Sequence, residues 1–292
     1  MQGLVVASYG KRYQVELTDA SSLIPRRISC VTRGKKTDLA CGDIVNIKLT
    51  DKAQGVVESS EPRKSLLYRS STLKSKILAS NVTQIIIVLA TQPSFYEALL
   101  NRCLVAAEAA NIKPLIVLNK CDLTDADDAK NKLKLYQKLG YQVLHLSAKQ
   151  DIAALLPYLS NHQSVLVGQS GMGKSTIINA LLPNENVRTQ EMSAALDSGK
   201  HTTTAAHLYH LNTTSTLIDS PGLQEFGLNH LSQETLELAF IEFRPYLGNC
   251  RFNNCKHTHE PDCAVTIAVN AGKISAVRLK FYQDLSRELM IT

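Results

Sequence analysis

Over roughly the first sixty residues, apolar side chains come in short runs that alternate with polar ones: GLVVASY, RYQVEL, RRISCVTR, DIVNIKL and QGVVESS. Turn-forming pieces containing GK, RGKK and CGD separate most of them. Five short strands in so little chain predict a small closed barrel of the OB type, although an SH3-like barrel would give much the same pattern. From TQIIIVLAT onward the rhythm changes. The apolar runs QIIIVLA, PLIVLN, QVLHLS, SVLVG and STLIDS read as strands, most of them buried. Between them, Leu99, Leu100, Cys103, Leu104 and Ala107 recur at helical spacing, and a Lys/Leu-rich helix is predicted over about 127–139. IAALLPYL and STIINALL read as further helices and AAHLYHL as a strand. This alternation predicts a mainly parallel sheet with helices on both faces. Beyond about residue 225 the pattern is helical, interrupted by a Cys/His cluster. The expected division is a barrel over 1–62, a basic linker over 63–80, an α/β domain over 81–224 and a helical domain over 225–292.

Composition narrows the class. A chain of 292 residues with 44% hydrophobic positions can bury a sizeable core. No apolar run approaches the roughly 18 residues that span a bilayer. The apolar patch near the N-terminus is too short for a signal peptide, and basic residues follow it where they should precede it. A soluble, cytoplasmic protein with no membrane partner is expected. Of seven cysteines, Cys30, Cys41, Cys103 and Cys121 are scattered, whereas Cys250, Cys255 and Cys263 cluster. An odd number with one cluster points to a reducing compartment and a metal site, not to a disulfide framework. Residues 1–76 carry fourteen Lys/Arg against seven Asp/Glu, which leaves the other 216 residues at −1. So basic a front end suits a polyanionic partner, most simply nucleic acid.

The chemistry begins with GQSGMGKS, Gly168 to Ser175, which matches G-x-x-x-x-G-K-[ST] between a strand and a helix. Glycines let backbone amides converge on phosphate oxygens, and the helix N-terminus adds donors. Lys174 should reach the β- and γ-phosphates, and Ser175 should place its hydroxyl on Mg²⁺. LIDSPG, about 44 residues on, ends a strand in D-x-x-G. There Asp219 would hold the magnesium shell, and the Gly222 amide would meet the γ-phosphate. The polar stretch between them ends in KHTTT, in which Thr203 or Thr204 would coordinate Mg²⁺ as a switch residue.

LIVLNKCDL contains N-K-x-D at a strand end. Asp122 can accept from guanine N1–H and the 2-amino group, a donor pair that adenine lacks. Asn119 can bond the other purine edge and tie loops together, and Lys120 can lie along the base with Cys121 between them. S-A-K follows at Ser147, Ala148 and Lys149, where the Ala148 amide could donate to guanine O6. Together these motifs point to GTP. Their order is N-K-x-D, S-A-K, phosphate loop, switch Thr, D-x-x-G, whereas a Ras-like GTPase starts at the phosphate loop. The chain reads as a circular permutation of that ring.

NCRFNNCKHTHEPDCAV spaces Cys250, Cys255, His257 and Cys263 as C-x4-C-x-H-x5-C. Three thiolates and an imidazole form a closed tetrahedral set suited to one structural zinc ion, with His259 as a competing ligand.

With these motifs in place, the chain resembles the RsgA (YjeQ) family of circularly permuted, small-subunit-dependent GTPases over nearly its whole length. That resemblance carries over to Asn119, Lys120 and Asp122, to Gly168, Gln169, Ser170, Gly171, Met172, Gly173, Lys174, Ser175 and Thr176, and to the four zinc ligands. It implies binding to the 30S subunit and its 16S rRNA, with subunit-stimulated GTP hydrolysis late in assembly. A monomer with no DNA partner is expected. The alternative is an RNA-binding or chaperone module in which GTP only orders the switches. Ras-like enzymes place Gln directly after D-x-x-G to orient water. Here Leu223 stands there, so slow intrinsic turnover is expected, with His201 as the first candidate to position water and Gln224 as the second.

Overall fold

The computed structural model describes residues 1–18, 26–33, 39–69, 76–123, 126–183, 206–219 and 228–291. Five strands build the N-terminal barrel: β1 (Gln2–Tyr9), β2 (Arg12–Leu17), β3 (Arg27–Thr32), β4 (Ile44–Asp51) and β5 (Gln54–Ser60). They pair in the order β1-β2-β3-β5-β4, and β4 pairs back to β1, so the sheet closes. The β3–β5 pairing is parallel and the others are antiparallel. This closed five-stranded order is that of an OB-fold. Alternate residues of each strand point inward, and Val5, Tyr13, Val15, Ile28, Cys30, Val45 and Ile47 fill the barrel.

Residues 63–80, read above as a basic linker, are more than a tether. Within them, β6 (Leu66–Arg69) and β7 (Lys76–Ser80) pair antiparallel, with Leu67 and Ala79 buried in the main core. The basic residues around them masked this apolar alternation in the sequence.

Next come β8 (Gln84–Ala90), α1 (Glu97–Ala109), β9 (Lys113–Asn119), α2 (Ala126–Lys138), β10 (Gln142–His145), a short α3 (Leu156–Leu159), β11 (Gln163–Val167), α4 (Lys174–Leu181), β12 (Ala206–His210) and β13 (Thr216–Asp219). Their spatial order is β10-β9-β8-β11-β13-β12, parallel except for β12. Counted round the circle from β11, the order is 6-5-4-1-3-2, which realises the permutation that the motif order predicts. Because β8, β9, β10, β11 and β13 are parallel, their carboxyl ends share one edge of the sheet, where α/β proteins bind ligands. All seven residues of β8 are buried, as a central parallel strand requires.

The barrel is joined to this sheet through β12. Strand β1 pairs antiparallel with β12, Ala7 opposite His207 and Ser8 opposite Ala206, so both sheets run on as one. At the seam, buried Glu16 takes Arg26 at 2.8 Å, Arg27 at 3.0 Å and His210 Nε2 at 3.1 Å. Cys41 Sγ donates to the Ala206 carbonyl at 3.0 Å.

The last segment holds α5 (Gln233–Ala239), α6 (Ala264–Asn270) and α7 (Ala276–Ile291). Ser232 caps α5 by accepting from the Thr235 amide. This segment packs on α1. Phe240 and Phe243 stack at its centre and Tyr282 meets both edge-on, with ring centroids 5.1 to 5.3 Å apart. Arg244 pairs with Glu108 at 2.7 Å, and Arg102 pairs with Glu288.

Candidate nucleotide site and metal centre

The phosphate loop leaves β11 and enters α4 with two glycines that admit no side chain. A Cβ on Gly168 would lie 2.3 Å from the Val88 carbonyl oxygen. One on Gly173, where φ is +89°, would lie 2.3 Å from Asn119 Nδ2. Met172 is fully buried beneath the loop. Lys174 lies back across it, donating to the carbonyls of Gly168 at 2.8 Å and Gln169 at 2.6 Å. Ser175 and Thr176 stand half-buried in the first turn of α4. The Gln169 side chain accepts from the Tyr96 amide at the start of α1, a contact the sequence gives no hint of.

The N-K-x-D and S-A-K loops close on this one. Asn119, 2% exposed, donates from Nδ2 to the Met172 carbonyl at 3.0 Å and accepts on Oδ1 from the Ala148 amide at 3.0 Å. One side chain thus ties N-K-x-D, S-A-K and the phosphate loop together. The Ala148 amide, expected to face guanine O6, is engaged by Asn119 in this structure. Lys120 takes a left-handed backbone, φ +61°, and its ammonium donates to Gly171 O at 2.7 Å and Gln92 O at 2.8 Å. Thr91 Oγ1 holds the Lys120 carbonyl at 3.1 Å, and Cys121 Sγ donates to Leu118 O at 3.2 Å. Asp122 is exposed at the mouth. A hydrogen bond from Ser147, its own amide and the nearby Lys149 and Lys120 charges hold its carboxyl below the usual range against slight desolvation. The carboxylate form is therefore the resting one.

Asp219 ends β13 beside β11, in register with Leu166. Burial raises its carboxyl, and the Lys174 charge opposes that rise. A hydroxyl at Ser175 and a carboxylate at Asp219 are hard oxygen donors of the kind Mg²⁺ takes. His201, Thr203, Thr204, Gly222, Leu223 and Gln224 lie outside the described residues.

The Cys/His cluster is gathered between α5 and α6. The ligand atoms of Cys250, Cys255, His257 and Cys263 all lie within 4.8 Å of one another. His257 Nδ1 is 3.6 Å from Cys250 Sγ, 3.6 Å from Cys255 Sγ and 3.3 Å from Cys263 Sγ, and Cys250 and Cys263 Sγ are 4.0 Å apart. A tetrahedron with bonds of about 2.3 Å to sulfur has edges of about 3.8 Å, so the set fits zinc. His259, the competing ligand, is exposed and outside this group. Burial, opposed by Glu237 and Glu260, holds the His257 ring below its ordinary pKa, favouring the neutral imidazole that a metal takes. Burial pushes the Cys255 thiol up to about 12. Cys263 goes the other way. Despite burial, the Thr266 hydroxyl and the amides of Thr266 and Val265 help hold it low. Glu260, which the sequence reading missed, braces the loop by accepting from the amides of Lys256, Thr258 and His259 at 2.8 to 3.0 Å. An acidic side chain two or three residues past turn-forming Lys-His-Thr was the available signal.

The family model described as RsgA GTPase matches residues 60–229. A protein of Nitrosospira multiformis called small ribosomal subunit biogenesis GTPase RsgA is 51% identical over 290 residues, covering 99% of this chain and 91% of its own. One of the same name from Neisseria meningitidis is 50% identical over 285 residues, covering 98% and 91%. Among solved structures, YjeQ from Thermotoga maritima is 30% identical with a TM-score of 0.73, covering 99% of this chain and 98% of its own. YloQ, described as a circularly permuted GTPase, is 27% identical with a TM-score of 0.71, covering 99% and 94%.

Proposed function

The chain belongs to the RsgA family of GTPases, and on that premise we propose that it hydrolyses GTP on the small ribosomal subunit, which completes its active site. The observation that carries this reading is Asn119, whose side chain joins the guanine-reading loops to the phosphate loop. In the proposed complex, Lys174 leaves the carbonyls of Gly168 and Gln169 for the β- and γ-phosphate oxygens, and the loop amides of 168–176 surround them. Asp122 accepts from the guanine edge, steadied by Ser147, with Ala148 and Lys149 beside it and the stem of Lys120 along the ring. Ser175, Asp219 and Thr203 or Thr204 would hold Mg²⁺, which when bound neutralises charge on the transferred phosphoryl group. Gly222 offers its amide to the γ-phosphate.

Leu223 occupies the place where Ras-like enzymes carry a water-orienting Gln, and this supports a site that waits for its partner. His201 is the proposed group for positioning water, ahead of Gln224. The basic barrel is the proposed 16S rRNA contact. The division into 1–62, 63–80, 81–224 and 225–292 is retained as a functional one. The protein works as a cytoplasmic monomer, with neither DNA nor membrane as partner. Among the described residues, no helix is long and apolar enough to cross a bilayer.

The test is phosphate release from GTP with and without purified 30S subunits. Stimulation by the subunit is expected, and Lys174→Ala should lower the stimulated rate by about 10²- to 10³-fold. A rate indifferent to the subunit would favour the other reading, an RNA-binding module that uses GTP only as an ordering ligand. His201→Ala should lose roughly 10²-fold or more of stimulated turnover while still binding GTP normally. Full turnover would remove His201 from the mechanism.

A further inference from the structure

We propose that Glu237 is a positioning residue of the Cys/His metal site: it accepts the Nε2 proton of His257 and so couples α5 to the metal loop. This rests on the zinc reading of the cluster. His257 presents Nδ1 to the three sulfurs at 3.3 to 3.6 Å, so Nδ1 is the atom left for a metal. An imidazole bound through Nδ1 carries its proton on Nε2. That atom is buried, in a side chain only 3% exposed, and has no hydrogen-bond partner. A buried N–H without an acceptor is costly, and metal-bound histidines almost always give this proton to a carboxylate, a carbonyl or water.

Glu237 supplies the acceptor. Its Oε2 lies 4.0 Å from Nε2, a separation that a small turn of the ring or carboxylate converts to a hydrogen bond. Its other oxygen is already anchored. Oε1 accepts from the Tyr282 hydroxyl at 3.2 Å and from Gln233 Nε2 at 3.3 Å, which leaves Oε2 facing the ring. The second carboxylate nearby, Glu260, is taken up by the amides of Lys256, Thr258 and His259.

The placement of Glu237 in the chain matters. It sits on α5, the first described helix after Asp219. A proton shared between Glu237 and His257 fixes that helix to the metal loop, with Tyr282 of α7 bracing the carboxylate. Helix α5, the first described helix after the strand that ends at Asp219, would therefore meet the metal centre directly.

The experiment is zinc competition against a chromogenic chelator on the full chain, comparing wild type with Glu237→Ala and Glu237→Gln. The Ala variant should hold zinc about 10- to 100-fold more weakly, and Gln, which keeps an acceptor oxygen, should recover part of the loss. Cobalt-substituted protein should keep the same charge-transfer bands in both variants, because no ligand has changed. Zinc-replete wild type with unchanged affinity in the folded Gln and Ala variants would overturn this role alone. Wild type that holds no zinc would overturn the metal reading and this role with it. Should Ala fail to fold, Gln with wild-type affinity and no faster zinc loss to the chelator would count against the proposal.

Discussion

Asp122→Asn should exchange a preference for GTP for one for xanthosine triphosphate. In the proposed complex, the Asp122 carboxylate offers two acceptor oxygens to the N1–H and 2-amino donors of guanine. An Asn side chain puts an amide N–H₂ against that amino group, and two donors then face each other. Xanthine carries an oxygen at position 2, which the Asn amide can serve. Sites built to bond a particular substrate group reject the analogue lacking it by about 10⁴-fold, and an inversion on that scale is the expected result. Competition of each nucleotide against a fluorescent GTP analogue reads it, and a variant that still prefers GTP would remove Asp122 from base recognition. Ser147, Lys149 and Lys120 hold the Asp122 carboxyl below its ordinary range, so the group is ionised throughout neutral and mildly acid solution. Lowering the pH across that range should therefore leave the Asp122 contribution to GTP affinity unchanged, and weaken it only below the ordinary carboxylate pKa.

Much of this site could be read from residues in order, because a phosphate loop or an N-K-x-D turn is a local object whose chemistry follows from neighbours in sequence. Parallel strands then bring those turns to one edge, so β8, β9, β11 and β13 could be placed before their pairing was known. The barrel type was not legible to the same degree. OB and SH3-like barrels share a strand pattern, and the parallel β3–β5 pairing that distinguishes this one is a long-range fact. The β6–β7 pair was hidden for a different reason. Its buried apolar residues Leu67, Leu78 and Ala79 are few, and Ser, Lys and Arg are interspersed among them. The Asn119 bridge was half visible. The sequence assigns it to the base and to tying loops, but that it engages the Ala148 amide depends on two loops 29 residues apart. Glu237 and Arg278 gave no signal, since each acts on partners that only tertiary packing supplies.

Arg278 is where that packing should matter most to stability. Its side chain is 1% exposed, and its Nε lies 2.5 Å from Oε1 of Glu242, itself 5% exposed. A second guanidinium nitrogen donates at 2.6 Å to Asn101 Oδ1 on α1, which also accepts from Tyr136 of α2 at 3.1 Å. The Phe240 ring lies 4.5 Å from the guanidinium carbon. One buried cation thus clamps α7 to α1 and, through Asn101, to α2, the two helices that flank β9 in the chain. Arg278→Met fills similar volume but strands the Glu242 carboxylate in the interior, and breaking such a pair costs about 3–5 kcal/mol. At about 2–4 °C per kcal/mol for a protein of this size, thermal unfolding should begin on the order of ten degrees lower. Arg278→Lys should recover little, because an ammonium cannot reach Glu242 and Asn101 with the planar geometry of a guanidinium. Arg278→Met combined with Glu242→Leu should regain most of the loss, since the expensive species is the unpaired charge and not the missing pair. Calorimetry of the three variants decides it. If the double variant melts no higher than Arg278→Met, the cost lies in the lost contacts to Asn101 and Phe240, and the charge argument fails.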